Sequence, residues 1–224
     1  MTKHTNGYIA IGDIHGCVET LNLLLTRLHE EYSNTKTYVF LGDYVDRGPS
    51  SKQVIDTLLE FKKDHNCIFI RGNHDQMLLT YYSDNRYYEY LNHGGAHTLE
   101  SYYESCPDNK IPYAHLKFLI GTKLFHEAEH WVFVHGGLPT DRTIKEALAD
   151  ESIYNSFLWN REHLEKADNE WEKTVVFGHT PVRQPIEGKN MIGIDTGCVY
   201  EQFGKLTALI LPEREFVQQK RIDF

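Results

Sequence analysis

Five short apolar runs in this chain each stop and deliver Asp, His or Asn next to glycine. Residues 9–11 run into Gly12, Asp13, Ile14, His15 and Gly16. Residues 38–41 run into Gly42, Asp43, Tyr44, Val45, Asp46, Arg47 and Gly48. Residues 68–70 lead to Arg71, Gly72, Asn73, His74 and Asp75, residues 131–134 to His135, Gly136 and Gly137, and residues 175–177 to Gly178, His179 and Thr180. Charges at the end of a buried strand are costly unless a metal, a partner or a ligand compensates them. In open α/β sheets the carboxyl ends of the strands are where ligands bind. Five such runs of one polarity predict strand ends that converge on a single site.

The residue types suggest which chemistry. Asp13 and His15 are two positions apart, and side chains on an extended chain alternate with period two, so both project to one side. That is ligand spacing for one ion. Asp43 can bridge to a second ion completed by Asn73, His135 and His179. A mixed N/O set without thiolate suits catalytic Zn, Fe or Mn rather than a structural zinc. Two ions side by side activate water and clamp the oxygens of an in-line phosphoryl displacement. Arg47 and Arg161 can hold phosphate through paired guanidinium hydrogen bonds. On a strand end His74 points away from Asn73 and is read as a general acid for the leaving oxygen, with Asp46 fixing its tautomer.

Other polar residues receive plainer readings. His4, His29, His65, His93, His97, His115, His126, His130 and His163 are read as solvated. Asp75 is read as positioning the turn at His74. Asp195, before Thr196 and Gly197, supports either a contact behind the metal ligands or an ordinary strand-to-turn role.

The elements that must position these residues follow from periodicity. Residues 8–12, 37–41 and 67–70 read as strands. Val18, Leu21, Leu24, Leu25 and Leu28 form one helical face between the first two, and Val54, Ile55, Leu58, Leu59 and Phe61 form another between the second and third. Strand and helix alternation of this kind marks an α/β fold. Residues 78–128 are rich in Tyr and His and read as a helical insertion within a single domain of residues 1–224, with one helix starting near Gln76, another over residues 113–120, and a turn at residues 92–95. A helix is expected over residues 143–149. Strands at residues 191–194 and 205–211, with Gly-containing turns around them, predict antiparallel pairing and a second half richer in β-structure.

Composition sets outer limits. The formal net charge is −9, which argues against a non-specific nucleic-acid binder. Cys17, Cys67, Cys106 and Cys198 have no C-x-x-C spacing, so neither a disulfide framework nor a cysteine zinc site is expected. The opening seven residues are polar and no apolar run reaches spanning length. A cytoplasmic protein with no membrane partner is the expectation.

The three glycine-rich stretches around Asp13, Asp43 and Asn73 resemble the signature motifs of the phosphoprotein phosphatase family of calcineurin-like metallophosphoesterases. Asp75 stands where most eukaryotic members carry Glu. His135-Gly136-Gly137 and Gly178-His179-Thr180 are similar to the two later metal-ligand motifs, so the resemblance covers residues 12–180. The small size resembles the bacterial and phage branch, such as the lambda phage phosphatase. Residues 194–197 and 205–208 are similar to that branch and to the symmetrical diadenosine tetraphosphatases, although the intervening turn carries one glycine where relatives have several.

The resemblance implies a central β-sandwich of mixed sheets flanked by helices. It implies a first ion on Asp13, His15 and Asp43 and a second on Asp43, Asn73, His135 and His179. Arg47 and Arg161 would bind phosphate, Arg161 through its Trp159-x-Arg161 match, and His74 and Asp46 would form the acid pair. Mn²⁺ is the expected metal, with Fe or Zn as alternatives. The expected activity is that of a protein serine/threonine phosphatase acting on phosphoprotein or small phosphoester substrates by attack of an activated water. The alternatives are a symmetrical dinucleoside polyphosphate hydrolase, with Tyr81, Tyr82, Tyr87, Tyr88, Tyr102 and Tyr103 available to stack bases, and a non-enzymatic metal-bearing scaffold, against which the intact His74 and Asp46 pair argues.

Overall fold

The computed structural model describes residues 7–32, 35–84, 87–106, 110–166 and 171–224. The histidine at position 4 and the side chain of Tyr87 lie outside the described residues. In chain order the elements are β1 (Tyr8–Ile11), α1 (Val18–Tyr32), β2 (Thr37–Phe40), α2 (Ser51–Asp64), β3 (Cys67–Phe69), α3 (Asn73–Asp84), α4 (Tyr87–Tyr90), a π-helical turn (Leu91–Gly95), α5 (Ala96–Ser105), α6 (Tyr113–Ile120), β4 (Phe125–Glu127), β5 (Trp131–Val134), α7 (Ile144–Ala149), 3₁₀ turns (Glu151–Leu158 and Glu162–Leu164), β6 (Thr174–Phe177), β7 (Ile186–Gly188), β8 (Met191–Gly193), β9 (Lys205–Leu211) and β10 (Glu215–Lys220).

The strands form two five-stranded sheets, ordered β10-β9-β1-β2-β3 and β4-β5-β6-β8-β7. Strands β1, β2 and β3 are parallel, as are β5, β6 and β8. Antiparallel β9, β10, β4 and β7 extend the edges. Period-two alternation explains why the strands read as unbroken apolar runs. Ala10, Val39, Leu41, Leu209 and Leu211 of the first sheet meet Phe133, Val176 and Ile192 of the second in the inner layer. Their neighbours Ile9, Ile11, Tyr38, Phe40, Ala208 and Ile210 face outward onto α1 and α2, and Val132, Val134, Val175 and Phe177 face the α7 side. Strands buried on both faces must be apolar at every position. The mixed α/β sandwich flanked by helices is therefore the one expected.

The boundaries differ in three places. Helix α3 begins at Asn73 rather than near Gln76, so Asn73 and His74 occupy a first helical turn and not a strand end. Within the stretch read as helical, residues 125–127 form β4, paired antiparallel with β5. Strand β10 was not legible because Glu215–Lys220 is a half-buried edge run with no apolar and polar alternation. The helix over residues 143–149 is present as α7, closed by a capping box between Thr143 and Glu146. Among the described residues no helix is long and apolar enough to cross a membrane.

Candidate active site

The parallel strands of both sheets end at one edge, and the residues after them come together there. The loop after β1 supplies Asp13 and His15, the loop after β2 supplies Asp43, Asp46 and Arg47, the first turn of α3 supplies Asn73 and His74, and the ends of β5 and β6 supply His135 and His179. The two loops nearest the centre are tied together, since the amides of Ile14 and His15 donate to the Asp43 carbonyl at 3.2 and 2.8 Å. The β5 and β6 ends are tied by Gly178 N–H donating to His135 O at 2.9 Å. Glycine is required where these chains close on a carboxylate. A Cβ on Gly72 would overlap Oδ1 of Asp43, and one on Gly178 would overlap Oδ1 of Asp13.

The backbone is strained at this edge. Among the described residues, six non-glycine residues have positive φ, and five of them are His15, Asp43, Asp46, Arg47 and His179. Such conformations are unfavourable for side-chain-bearing residues and persist only where the surroundings impose them. The inference of two-residue alternation for Asp13 and His15 is corrected by this. His15 turns at φ 46°, in a loop rather than on a strand, and its ring is aimed by Nδ1, which donates to the Val45 carbonyl at 2.8 Å.

Asp43 lies at the centre. Its Oδ2 is 3.3 Å from His15 Nε2 and its Oδ1 is 3.4 Å from His135 Nε2. Two sets of ligand atoms share it, one from His15, Asp43 and His74 and one from Asp43, His135 and His179, and the atoms of each set lie within 4.8 Å of one another. Asp13, assigned from the sequence to the first set, is buried alongside, and its carboxylate accepts the His179 amide at 3.0 and 3.2 Å. His74 takes its place in the compact trio because its ring stands edge-on to His15, 4.8 Å between centroids.

The donor and acceptor pattern fits divalent metal. His135 Nδ1 donates to the Leu41 carbonyl at 2.8 Å, which aims Nε2 into the site. Nε2 is 2.9 Å from Asn73 Oδ1, and His179 Nδ1 is 3.0 Å from the same oxygen. A cation bound here would take the place of any proton shared among these atoms. Nε2 of His179 is buried without a hydrogen-bond partner. Burial, reinforced by Asp195 and Asp43, pushes Asp13 well above the usual carboxylate range. Burial works against a charge on His135, but the Asp43 and Asp13 carboxylates outweigh it and raise His135 to about 10. Burial would raise Asp43, yet His135, His74 and His15 hold it well below its ordinary value. Burial and neighbouring His135 push His179 down to about 2, so its imidazole is neutral and free to ligate.

His74 and Asp46 form the expected pair, Nδ1 to Oδ2 at 2.8 Å, both buried. The other carboxylate oxygen of Asp46 accepts from Tyr90 Oη at 2.6 Å and Thr98 Oγ1 at 2.7 Å. The backbone amide of Asp46 donates to Thr98 Oγ1 and Ser51 Oγ. These partners come from α2, α4 and α5, and no local spacing in the sequence marks them. Arg47 Nη1 lies 2.6 Å from His15 Nε2, its amide donates to the Gly94 carbonyl at 3.1 Å, and its guanidinium carbon lies 5.3 Å from the Tyr200 ring centre. Arg161 stands at the rim, donating Nε to Thr180 Oγ1 at 3.0 Å beside His179. All ten residues named from the sequence are thus at this edge.

Four other readings are now decided. Asp75 positions the turn, as expected, by accepting three backbone amides. Asp195 accepts the Gly197 amide at 2.8 Å, the ordinary strand-to-turn role, and its charge acts on buried Asp13. His115 and His163 are buried, not solvated. His115 bridges Tyr102 Oη and Asp56, and His163 packs edge-on against Phe177 under Gly137. Among the described side chains, none of the tyrosines proposed to stack bases lines the recesses at the site. Tyr102 is in the core and Tyr81 stacks on Tyr90. The aromatics that flank the site are Tyr90, Trp159, Tyr200 and Phe224.

A family model described as calcineurin-like phosphoesterase matches residues 8–210. The asymmetrical bis(5′-nucleosyl)-tetraphosphatase PrpE of Oceanobacillus iheyensis is 31% identical, over 92% of this chain and 89% of its own length. A solved structure described as a candidate diadenosine tetraphosphatase superposes with a TM-score of 0.71 at 24% identity, covering 97% of this chain and 94% of that one. A cold-active protein-tyrosine phosphatase of a psychrophilic Shewanella shares the fold with a TM-score of 0.64 at 18% identity, covering 95% of this chain and 80% of its own. The narrower likeness to the lambda phage phosphatase branch gives way to the wider family, because the sequence relative carries a tetraphosphatase name.

Proposed function

This chain belongs to the calcineurin-like phosphoesterase family, and on that premise we propose that it hydrolyses dinucleoside tetraphosphates asymmetrically. The family membership makes it a metallophosphoesterase hydrolase. The reading of its substrate is supported by the 31% identity, nearly end to end, to a relative named for that activity. The relative's name favours the nucleotide alternative over a protein serine/threonine phosphatase, and an asymmetrical cut over a symmetrical one.

In this reading Asp13, His15 and Asp43 hold one divalent cation and Asp43, Asn73, His135 and His179 hold a second, with Mn²⁺ the expected ion and Fe or Zn the alternatives. Cations there would supply Lewis acidity and an activated water. The protein's own groups do the rest. Arg47 and Arg161 bind and orient phosphate oxygens with guanidinium forks. Asp46 accepts the Nδ1 proton of His74, so Nε2 is the atom through which His74 exchanges a proton with the departing oxygen. One water adds across one P–O–P bond, and diadenosine tetraphosphate becomes ATP and AMP.

The experiment is product analysis. Metal-reconstituted protein is given diadenosine tetraphosphate and, in parallel, phosphoserine and phosphotyrosine peptides. ATP and AMP in equal amounts are expected, with much slower release of phosphate from either peptide. Two equivalents of ADP would mean a symmetrical cut, and a preference for phosphopeptide would return the protein-phosphatase reading.

A further inference from the structure

A recess of about 420 Å³ opens beyond Arg47, lined by His93, His97, Tyr200 and Phe224 together with Arg47 itself. We infer that it is the subsite for the purine nucleoside farther from the scissile phosphorus. This rests on the dinucleoside tetraphosphate reading.

The first argument is position. Arg47 stands between the recess and the metal ligands, with Nη1 at 2.6 Å from His15 and its guanidinium carbon 5.3 Å from the Tyr200 ring centre. No residue assigned here to a metal lines the recess. A polyphosphate leaving the metal edge must cross this guanidinium before a nucleoside reaches the recess, so at least one phosphate intervenes. A second recess is lined by Asn73 itself, with Met77, Tyr90 and Trp159, and measures only about 230 Å³. Sites for small ligands commonly run to ~300–1,000 Å³. The larger recess reaches that range and the smaller does not. Two ends at unequal distances from the metal ligands are what an asymmetrical cut requires.

The second argument is chemistry. Phe224 is 63% exposed and lines the recess. It is nonetheless fixed. The Arg221 guanidinium lies 4.0 Å from its ring centre and donates to the Val199 carbonyl at 2.8 Å. The neighbouring Asp223 carboxylate accepts the amides of Glu19 and Thr20 at the start of α1. A rigid exposed ring beside Tyr200 is a stacking platform for a base, and stacking tolerates any purine. His93 and His97 are exposed at the recess and offer ring nitrogens to base edges or ribose hydroxyls. In a chain of net charge −9, Arg47 lines the recess and Arg221 lies against Phe224 and Val199, which line it too, so two guanidinium groups give a local cationic path for the phosphates.

Two measurements test this. Phe224→Ala and His97→Ala are assayed on diadenosine tetraphosphate and on para-nitrophenyl phosphate, which has no nucleoside. For Phe224→Ala, kcat/KM on the dinucleotide should fall roughly 5- to 150-fold relative to para-nitrophenyl phosphate, the range that base stacking carries, and His97→Ala should lower the same ratio. An unchanged ratio in both variants overturns the inference. Independently of turnover, wild-type protein is photolabelled with 8-azido-ATP, with and without excess diadenosine tetraphosphate, and the labelled peptides are sequenced. Displaceable label within residues 92–97 or 199–224 supports the subsite. Displaceable label confined elsewhere, or none in a protein that hydrolyses the dinucleotide, overturns it. Absence of dinucleotide hydrolysis by the wild type is a separate result, which removes the functional reading and the subsite with it.

Discussion

The carboxylate of Asp75 accepts the backbone amide of Asp43 at 2.9 Å. The same carboxylate accepts Gly72 N–H at 2.8 Å and Tyr44 N–H at 3.0 Å. One side chain therefore holds the turn after β2 against the entry to α3, and with it the proposed bridging ligand. All of these groups are buried. Replacement by Ala leaves three amides without partners, and each buried orphan costs about 1–3 kcal/mol before relaxation. Asp75→Ala is expected to lose more than about 3 kcal/mol in urea unfolding and to bind metal more weakly. A variant within about 1 kcal/mol of wild type would show that the turn is held by other contacts.

Asp43 and Asp46 are three residues apart but face different partners. Asp43 sits between His15 and His135, whereas Asp46 is enclosed by His74, Tyr90 and Thr98. Asp43→Asn should lose bound metal and activity together, because the amide removes the negative charge that both ligand sets share. Asp46→Asn should keep its metal and lose turnover by ~10²-fold or more on substrates with poor leaving groups. Metal counted by mass spectrometry on the purified variants decides it, and equal depletion in the two would end this division of roles.

His74 tests how much the departing oxygen needs a proton. A nucleotide phosphate leaves readily as an anion, whereas the phenoxide of phenyl phosphate leaves poorly. His74→Asn, with metal content verified, is expected to lose ~10²–10⁴-fold in kcat on phenyl phosphate and far less on diadenosine tetraphosphate. Burial, the largest influence on His74, lowers its basicity, opposed by Asp43 and Asp46. Equal losses on the two substrates would make His74 an orienting group instead of a proton donor.

His163 should give acid sensitivity. Burial alone pushes it down to about 4, and neither ring nitrogen has a hydrogen-bond partner. Between that value and the ordinary ~6.5 of an unfolded histidine, the unfolded chain binds the extra proton. Stability from this group is therefore complete above the unfolded pKa and is lost as pH falls from about 6.5 toward 4, by at most about 3 kcal/mol. His163→Phe removes the titration while keeping an aromatic ring against Phe177. Urea unfolding at pH 7.5 and 5.0 should show a smaller drop in the variant. An equal drop in both proteins would assign the acid sensitivity to other groups.

Most of the elements and their polarity were legible in the chain, with β4 and β10 the exceptions. Apolar runs buried on both faces had to become interior strands, and the glycines after them marked places where the chain turns tightly beside a carboxylate. Those two features identified nine of the ten residues that converge, since each follows a strand end; Arg161, between two 3₁₀ turns, rested instead on the Trp159-x-Arg161 match. Tertiary structure alone decided how they are aimed. The positive φ of His15, Asp43, Asp46, Arg47 and His179 is imposed by contacts between distant loops and leaves no local signature. The groups that hold Asp46 lie on α2, α4 and α5, as far as 52 residues away in the chain. His163 looked like any polar-context histidine until the 3₁₀ turn folded it under Gly137. The flanking aromatics were misjudged for the same reason. Composition marked a tyrosine-rich stretch, but which rings reach the site depends on where α5 and the segment after β10 pack, and that is settled by burial and long-range pairing rather than by any spacing in the chain.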